Sequence, residues 1–247
     1  MSKRRRSTLP DILYVDEHLV VVDKPPGVLS VPGRGNLPNA PTLLRASRHF
    51  ADDEPLRVVH RLDKDASGVL LFARTLAAQR NLVAQFMERH VRKIYHALVS
   101  GYVEQEEGVI ELSLCFNQRE NRMRASSRRG KPSLTHYRVL ERVPGHTWLE
   151  CRPATGRMHQ IRAHLAAIGH PLSIDPEYGG GHSLLLSHYK PNYKLNRRKE
   201  EIPLIARLTL HASRLEFIHP HTGENVTFET PLPKDLRVTL LQLGRLS

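Results

Sequence analysis

Short apolar runs separated by polar turns dominate the chain. Residues 12–15 (ILYV) and 19–23 (LVVVD) flank a polar turn and predict a β-hairpin. Gly223 supplies permissive dihedrals in a second predicted turn at residues 219–224. Further strands are predicted at VLLFA (69–73), IYHALVSGYV (94–103), VIELSL (109–114), LTHYRVLERV (134–143), HTWLEC (146–151), RLTLHASRLEFI (207–218) and NVTFE (225–229).

Two segments have helical spacing instead. Thr75 can cap a helix over residues 76–90, whose predicted apolar face consists of Leu82, Val83, Phe86 and Met87. Residues 157–168 predict a second helix that stops at Gly169, with an apolar face of Ile161, Leu165 and Ile168. Because strands follow one another with few helices between them, we predict an α+β fold with a mixed, mostly antiparallel sheet. One domain is expected over residues 11–247, after a basic tail at residues 1–10.

The charge of the chain narrows the choice of partner. The 247 residues include 37 Lys and Arg against 25 Asp and Glu, a net charge of +12. An excess of this size favours a polyanionic partner, and RNA or DNA is the leading candidate. Residues 179–203 form a basic insertion that fits phosphate contacts and base stacking and fits a solvated surface segment equally well. Its candidate contacts are Tyr189, Lys190, Tyr193, Lys194, Arg197, Arg198 and Lys199.

Cysteine and histidine usage excludes several kinds of site. Cys115 and Cys151 lie in no CxxC pattern, so we expect buried, reduced thiols in a cytoplasmic protein. No long apolar segment predicts a membrane helix or a secretory signal. His159 and His164 are five positions apart, about 140° around a helix, so they cannot both bind one metal ion. We expect no metal site.

Three segments place ionisable residues beside predicted strands: HRLDKDASG (60–68), RKIYHALV (92–99) and ATGRMHQIRAH (154–164). Each has an ordinary structural interpretation. Asp63 suits a turn, Tyr95 a half-buried strand position, and Arg162 a solvated helix surface. Residue types alone leave the choice open.

Together the segments resemble one family. HRLDKDASGVLLFA (60–73) closely resembles HRLDxxTSGLLLxA, the signature of the RluA family of RNA pseudouridine synthases. The resemblance continues in order through ILYVDEHLVVVDKPPGVLSVPG (12–33), RKIYHALVSG (92–101), ATGRMHQIRAHLAAIGHPL (154–172) and LTLHASRLEFIHPHTGENVTFETPLP (208–233). Five ordered blocks are far more specific than a single motif.

The resemblance implies a pseudouridine synthase fold with a central cleft, acting without a cofactor on a flipped uridine in structured rRNA or tRNA. It implies that Asp63 is the catalytic aspartate and that Arg162 pairs with it. Tyr95 is expected to line the base pocket, and Arg61 to enter the RNA where the base leaves. Asp65 is interpreted as a residue of the turn rather than of the active site.

Departures from the family pattern accompany the match. Ala66 replaces the usual Thr, and Ile174 replaces a common Gly. Because the pattern begins by residue 12, we expect no extra N-terminal RNA-binding domain, and we expect a monomer.

A non-catalytic RNA-binding or ribosome-assembly factor on the same fold is the alternative function. RNA cleavage through the histidines is poorly supported, since no pair has suitable spacing.

Overall fold

A computed structural model describes residues 9–33, 35, 37–47, 49–51, 53–126, 129–194 and 200–246. The chain divides into two compact units. The first consists of Met1–Lys93 and Ala212–Pro231, and the second of Ile94–His211 and Leu232–Ser247. Residues 1–8 of the predicted basic tail at residues 1–10 lie outside the described residues, as do Arg197, Arg198 and Lys199 of the insertion.

The first unit contains a sheet in the order β1-β2-β4-β11, with β3 also on β4 and β12 also on β11. The neighbouring pairs β1–β2, β2–β4, β3–β4 and β11–β12 are antiparallel. The elements are β1 (Asp11–Val15), β2 (Leu19–Lys24), α1 (Ala40–Ala46), β3 (Arg57–Val58), β4 (Ser67–Ala73), α2 (Leu76–Met87), most of β11 (Leu210–Ile218) and β12 (Asn225–Glu229).

The second unit contains a sheet in the order β11-β5-β10-β9-β6 and a separate two-stranded β7–β8 hairpin. The pairs β5–β10, β9–β10, β6–β9 and β7–β8 are antiparallel. The elements are β5 (Arg92–Ser100), β6 (Glu107–Glu111), β7 (Ser113–Asn117), β8 (Arg122–Ser126), β9 (Leu134–Val143), β10 (His146–Pro153), α3 (Gln160–Ala167), the short 3₁₀ turns Pro176–Tyr178 and Leu186–His188, the start of β11, and α4 (Lys234–Gly244).

The structure confirms the α+β class and most predicted elements. The first hairpin forms because the Asp16 carboxylate accepts hydrogen bonds from the backbone amides of His18 and Leu19, both at 2.8 Å. Every residue of β4 is buried, as expected of a central strand. The side chain of Thr75 caps α2 by accepting a bond from the Ala78 amide at 3.1 Å.

Other elements differ from the prediction. The single strand predicted at residues 109–114 is two strands, because β6 pairs with β9 whereas β7 pairs with β8. The helices α1 and α4 and the strands β3 and β8 were not predicted. They are short or carry mixed polarity, so packing rather than local periodicity decides them.

Three predicted burial assignments are wrong. Met87 is 78% exposed, and Gln85 lies inside in its place, exchanging bonds with the backbone of Ile218. Ile168 is 36% exposed because α3 ends one residue earlier. Cys115 is only half-buried, whereas Cys151 is buried as expected.

The insertion has a defined base within the second unit. The Leu184 amide donates to the Ile205 carbonyl at 2.9 Å, and the Leu204 amide donates back to Leu184 at 2.8 Å. The hydroxyl of Tyr189 lies 2.7 Å from His146 Nε2, and its ring packs against the core of the unit. Tyr189 therefore anchors the described start of the insertion. Among the described residues, no helix has the length and apolar character needed to span a bilayer.

Candidate active site

The Asp63 loop, residues 59–66, joins β3 to β4 in the first unit. Asp63 is half-buried, whereas Arg61 and Asp65 are exposed. The Asp63 carbonyl accepts a bond from the Ala66 amide at 3.2 Å, which closes a turn. The loop thus presents one partly sheltered carboxylate directly before a buried strand.

A fully buried lysine supports this loop from below. Lys24, 0% exposed, donates from Nζ to the carbonyls of Pro25 (3.0 Å), Val28 (2.8 Å) and Lys64 (3.0 Å). The Gly27 amide adds a second bond to the Lys64 carbonyl at 2.9 Å. An ammonium group has three donors, and three carbonyls accept from it here. The KPPG segment therefore fixes the backbone immediately after Asp63.

Ser30 fixes the backbone immediately before Asp63. Its hydroxyl donates to the Leu62 carbonyl at 2.8 Å and accepts from the Leu62 amide at 2.9 Å. Ser30 is 3% exposed and Leu62 is 5% exposed, so neither bond faces competition from bulk water. Both neighbours of Asp63 are therefore tied to the same preceding segment of chain.

His60 holds the start of the loop against the strand. Its Nε2 accepts a bond from the Leu71 amide at 3.0 Å, and its ring stacks on Phe86 at 4.8 Å. Burial, with a smaller contribution from the charge of Lys93, lowers the pKa of His60 to about 3. The imidazole is therefore neutral at physiological pH and acts as a hydrogen-bond acceptor in place of a strand partner.

Gly68 permits β4 to begin close to β11. Its φ is +119°, and a Cβ atom there would lie 2.1 Å from the Ala212 carbonyl oxygen. No side chain fits at this distance, so the glycine in the signature has a steric cause. Ala66, two residues earlier, is 1% exposed, which shows that the departure from the usual Thr lies in a packed position.

In the second unit, Tyr95 lies on β5 directly opposite Cys151 of β10. Tyr95 is half-buried, as the strand interpretation predicted. Burial raises the pKa of the Cys151 thiol to about 12, so this cysteine stays protonated and is a core residue.

Arg162, on α3, is buried rather than solvated. Its Nε and Nη2 atoms donate to the two carboxylate oxygens of Asp175 at 2.7 and 2.8 Å. Nη2 also donates to Glu177 Oε2 at 2.7 Å. The Arg162 side chain is 8% exposed and that of Asp175 1%, so this is a bidentate ion pair in the interior.

The neighbouring polar residues of α3 are also structural. The Gln160 amide donates to the Leu134 carbonyl and the Thr135 hydroxyl, both at 3.0 Å. His164 lies 3.0 Å from Thr135 Oγ1 through Nδ1 and 3.0 Å from the Leu112 carbonyl through Nε2. A carbonyl can only accept, so Nε2 carries the proton. Burial lowers the pKa of His164 and keeps it neutral.

The predicted site residues thus lie on three structural elements. Arg61 and Asp63 share the loop of the first unit, whereas Tyr95 and Arg162 lie on β5 and α3 of the second. The pairing of Asp63 with Arg162 stays a prediction. Sequence reasoning missed the residues that position the site. The family-like blocks contain Lys24, Ser30 and His60, whereas Asp175 and Glu177 follow shortly after the block at residues 154–172.

The side chains that could bind a metal ion form no metal site in the described part of the chain. There, no group of three or more His, Cys, Asp or Glu side chains is arranged to hold an ion. His159 and His164 contact different groups, Tyr178 in one case and Thr135 with Leu112 in the other.

Comparison with known proteins places the chain in a family. The family model for RNA pseudouridylate synthase matches residues 18–167. The chain is 39% identical over 239 residues to the ribosomal large subunit pseudouridine synthase D of Nitrosomonas europaea, covering 95% of this chain but only 65% of that relative. It is 39% identical over 223 residues to the dual-specificity RNA pseudouridine synthase RluA of Pasteurella multocida, covering 90% and 92%.

Solved structures agree with this match. Human RNA pseudouridylate synthase domain containing 4 superimposes with a TM-score of 0.72 at 26% identity, covering 95% of this chain and 93% of that one. Human RNA pseudouridylate synthase domain containing 1 gives a TM-score of 0.70 at 28% identity, covering 94% and 87%. The chain therefore belongs to the RNA pseudouridylate synthase family.

Proposed function

We propose that this protein isomerises uridine to pseudouridine in structured RNA. The bond between ribose C1′ and uracil N1 breaks, the base turns, and a bond forms between C1′ and C5. The C5 hydrogen leaves as a proton and N1 regains one, so atoms and electrons balance without a redox partner. The observation that carries the proposal is Asp63, which lies within the residues that match the family model and on a loop whose backbone is held on both sides.

Asp63 is the reacting carboxylate in this proposal. It either attacks C1′ or stabilises and deprotonates the sugar intermediate, and both routes need a carboxylate held at a fixed place. Half-burial favours this role, because a sheltered carboxylate is less hydrated than an exposed one. Its neighbour Asp65, exposed on the same loop, has no such shelter.

The other three residues bind and orient the substrate. Arg162 neutralises the charge of Asp63, and Tyr95 stacks on the uracil or moves a proton at it. Arg61 fills the space that the flipped nucleotide leaves and contacts phosphate. Its exposure on the Asp63 loop supports this role.

The substrate is RNA, and rRNA or tRNA is the expected class. The net charge of +12 supports a polyanionic partner. One relative is named for the ribosomal large subunit and another as dual-specific. We further propose that the protein works in the cytoplasm and that it is a monomer. Size-exclusion chromatography with light scattering tests the oligomeric state directly.

Tritium release from RNA carrying [5-³H]uridine tests the activity. The wild-type protein should release tritium and form pseudouridine, and Asp63→Asn should reduce turnover by about 10³-fold or more. Asp65→Asn is the matched control, since it removes a carboxylate from the same loop and should retain turnover. Normal turnover by Asp63→Asn would overturn the assignment. Tight RNA binding with no pseudouridine from the wild type would favour the non-catalytic alternative.

The insertion is the proposed determinant of target choice. Replacing residues 190–200 by a four-residue Gly-Ser linker keeps the Tyr189 anchor and the bond from the Ser187 amide to Glu201 Oε1. We expect weaker RNA binding or a shifted modification site, seen by mapping pseudouridines. A Lys190→Gln, Lys194→Gln variant separates the effect of charge from that of length. Unchanged affinity and target in the linker variant would remove this role.

A further inference from the structure

Tyr178 ends the 3₁₀ turn that follows Asp175, and its ring contacts two arginines of the second unit. Arg162 Cζ is 4.7 Å from the ring centroid, and Arg122 Cζ is 5.5 Å from it. Both distances are within the range of a cation–π contact. Tyr178 is 6% exposed, so the contact with Arg162 lies in the interior, where it is less screened by water.

The hydroxyl of Tyr178 makes two contacts beside those of its ring. It accepts a bond from the Met123 amide at 3.0 Å and lies 3.0 Å from His159 Nδ1. Burial raises the pKa of Tyr178 to about 12, so the phenol is neutral at working pH. His159 adopts a left-handed backbone conformation with φ of 51°, uncommon for a residue other than glycine. A neutral, anchored ring is a positioning device rather than an acid or base.

The contacts of Arg162 restrict its guanidinium group in complementary ways. Asp175 binds side-on through Nε and Nη2, which fixes the direction of the group within its plane and points Nη1 away from Asp175. Glu177 takes a second bond from Nη2. The ring of Tyr178 faces Arg162 Cζ at 4.7 Å, a contact that the hydrogen bonds to the two carboxylates do not supply.

The same tyrosine connects Arg162 to the β7–β8 hairpin. Met123 lies on β8, and Arg122 on the same strand donates to the main-chain carbonyl of Glu177. Leu114 of β7 packs in one apolar cluster with Tyr178 and with Ala163 of α3. The hairpin, the 3₁₀ turn and the helix therefore share one contact set.

We propose that Tyr178 is a positioning residue for Arg162: its ring holds the guanidinium plane, and its hydroxyl and apolar contacts link that plane to the β7–β8 hairpin. The assignment rests on the proposed function for its effect on turnover. It identifies a residue that orients a substrate-binding arginine without touching the substrate. A displacement of the hairpin, for example on binding RNA, would be transmitted to Arg162.

Two variants separate the ring face from the bulk of the side chain. Tyr178→Phe keeps the ring over the guanidinium and loses the hydroxyl, whereas Tyr178→Leu keeps an apolar side chain and loses the ring. We expect Tyr178→Leu to lower kcat about 30-fold with KM changed by less than about threefold, because only the orientation of Arg162 is lost. Tyr178→Phe should stay within about threefold of the wild-type kcat. Tyr137→Leu, at another buried tyrosine of this unit, controls for general loosening.

A second readout does not depend on activity. The ¹H–¹⁵N signal of Arg162 Nε, assigned by its loss in Arg162→Lys, should exchange slowly with solvent in the wild type and in Tyr178→Phe. In Tyr178→Leu it should shift and exchange faster, but it should be unchanged in Tyr137→Leu. An unchanged Nε signal in Tyr178→Leu would overturn the proposal, as would losses of kcat that merely follow the melting temperature across all three variants. A wild type that makes no pseudouridine would refute the proposed function, and the Nε signals would still decide the positioning role.

Discussion

The loop that carries Asp63 and the helix that carries Arg162 are held by different parts of the chain. In the loop, the supporting bonds end on main-chain atoms: Lys24 donates to the Lys64 carbonyl, and Ser30 brackets the backbone of Leu62. The loop side chains do not make these bonds. Their backbone is fixed whatever side chains the loop carries at positions such as 64 and 65.

Helix α3 is held through its own side chains. Arg162 binds Asp175 and Glu177, while Gln160 and His164 make buried bonds to the β9 region and the Leu112 carbonyl. Replacing any of these side chains leaves a polar partner unsatisfied in the interior. Exposed loop positions such as 64 and 65 can therefore vary around Asp63, whereas each polar side chain of the helix motif is constrained separately.

Removing the lysine beneath the loop is the strongest test of main-chain support. Lys24→Met keeps an unbranched apolar stem but removes the ammonium donor from three carbonyls, of which that of Lys64 keeps its bond from the Gly27 amide. We expect the free energy of unfolding to fall by about 5 kcal/mol, measured by urea denaturation. Lys64→Ala is the matched control, because its exposed side chain can go while its carbonyl remains, and it should cost less than about 0.5 kcal/mol. Equal losses in the two variants would remove the distinction between the loop and the helix.

Neutralising the buried acid tests side-chain support in α3. Asp175→Asn keeps the shape of the side chain but removes the charge that pairs with Arg162 inside the unit. We expect a loss of about 3 kcal/mol by the same measurement, since an interior guanidinium loses its bidentate partner. Glu177→Gln, at a side chain that is 38% exposed, should cost about 1 kcal/mol or less. A larger loss for Glu177→Gln than for Asp175→Asn would show that the outer acid holds the arginine.

Acid titration tests His60, a loop residue whose side chain itself supports the fold. Burial lowers the pKa of His60 from 6.5 to about 3, so between these pH values the unfolded chain binds a proton here that the folded chain does not. This contribution to stability is complete above pH 6.5 and is lost as the pH falls toward 3, by up to about 1.4 kcal/mol per pH unit. Between pH 7.5 and 4, the free energy of unfolding should therefore fall less steeply with decreasing pH for His60→Gln than for the wild type. The same pH dependence in both proteins would mean that His60 has the same pKa in the folded and unfolded states.

Local pattern sufficed for a good part of this molecule. Alternating and continuous apolar runs predicted both strands of the first hairpin and the buried β4. They also predicted β9 and β12, in these two cases with the bounds that the structure has. The Thr75 cap was also correct. These features depend on a few neighbouring residues, which is the range that periodicity and capping report. The ordered family-like blocks marked Asp63 and its loop for the same reason.

Contacts between distant residues were decided only by the tertiary structure. Lys24 meets a carbonyl 40 residues away, and Gln85 replaces Met87 in the interior because it can bond to a strand 133 residues away. Arg162 was expected on a solvated surface or beside Asp63, and its acidic partners Asp175 and Glu177 follow it by 13 and 15 residues. The sequence specified which residue types were available and where the Asp63 loop begins. Folding determined which buried donor meets which acceptor, because that choice depends on surroundings that no local pattern contains.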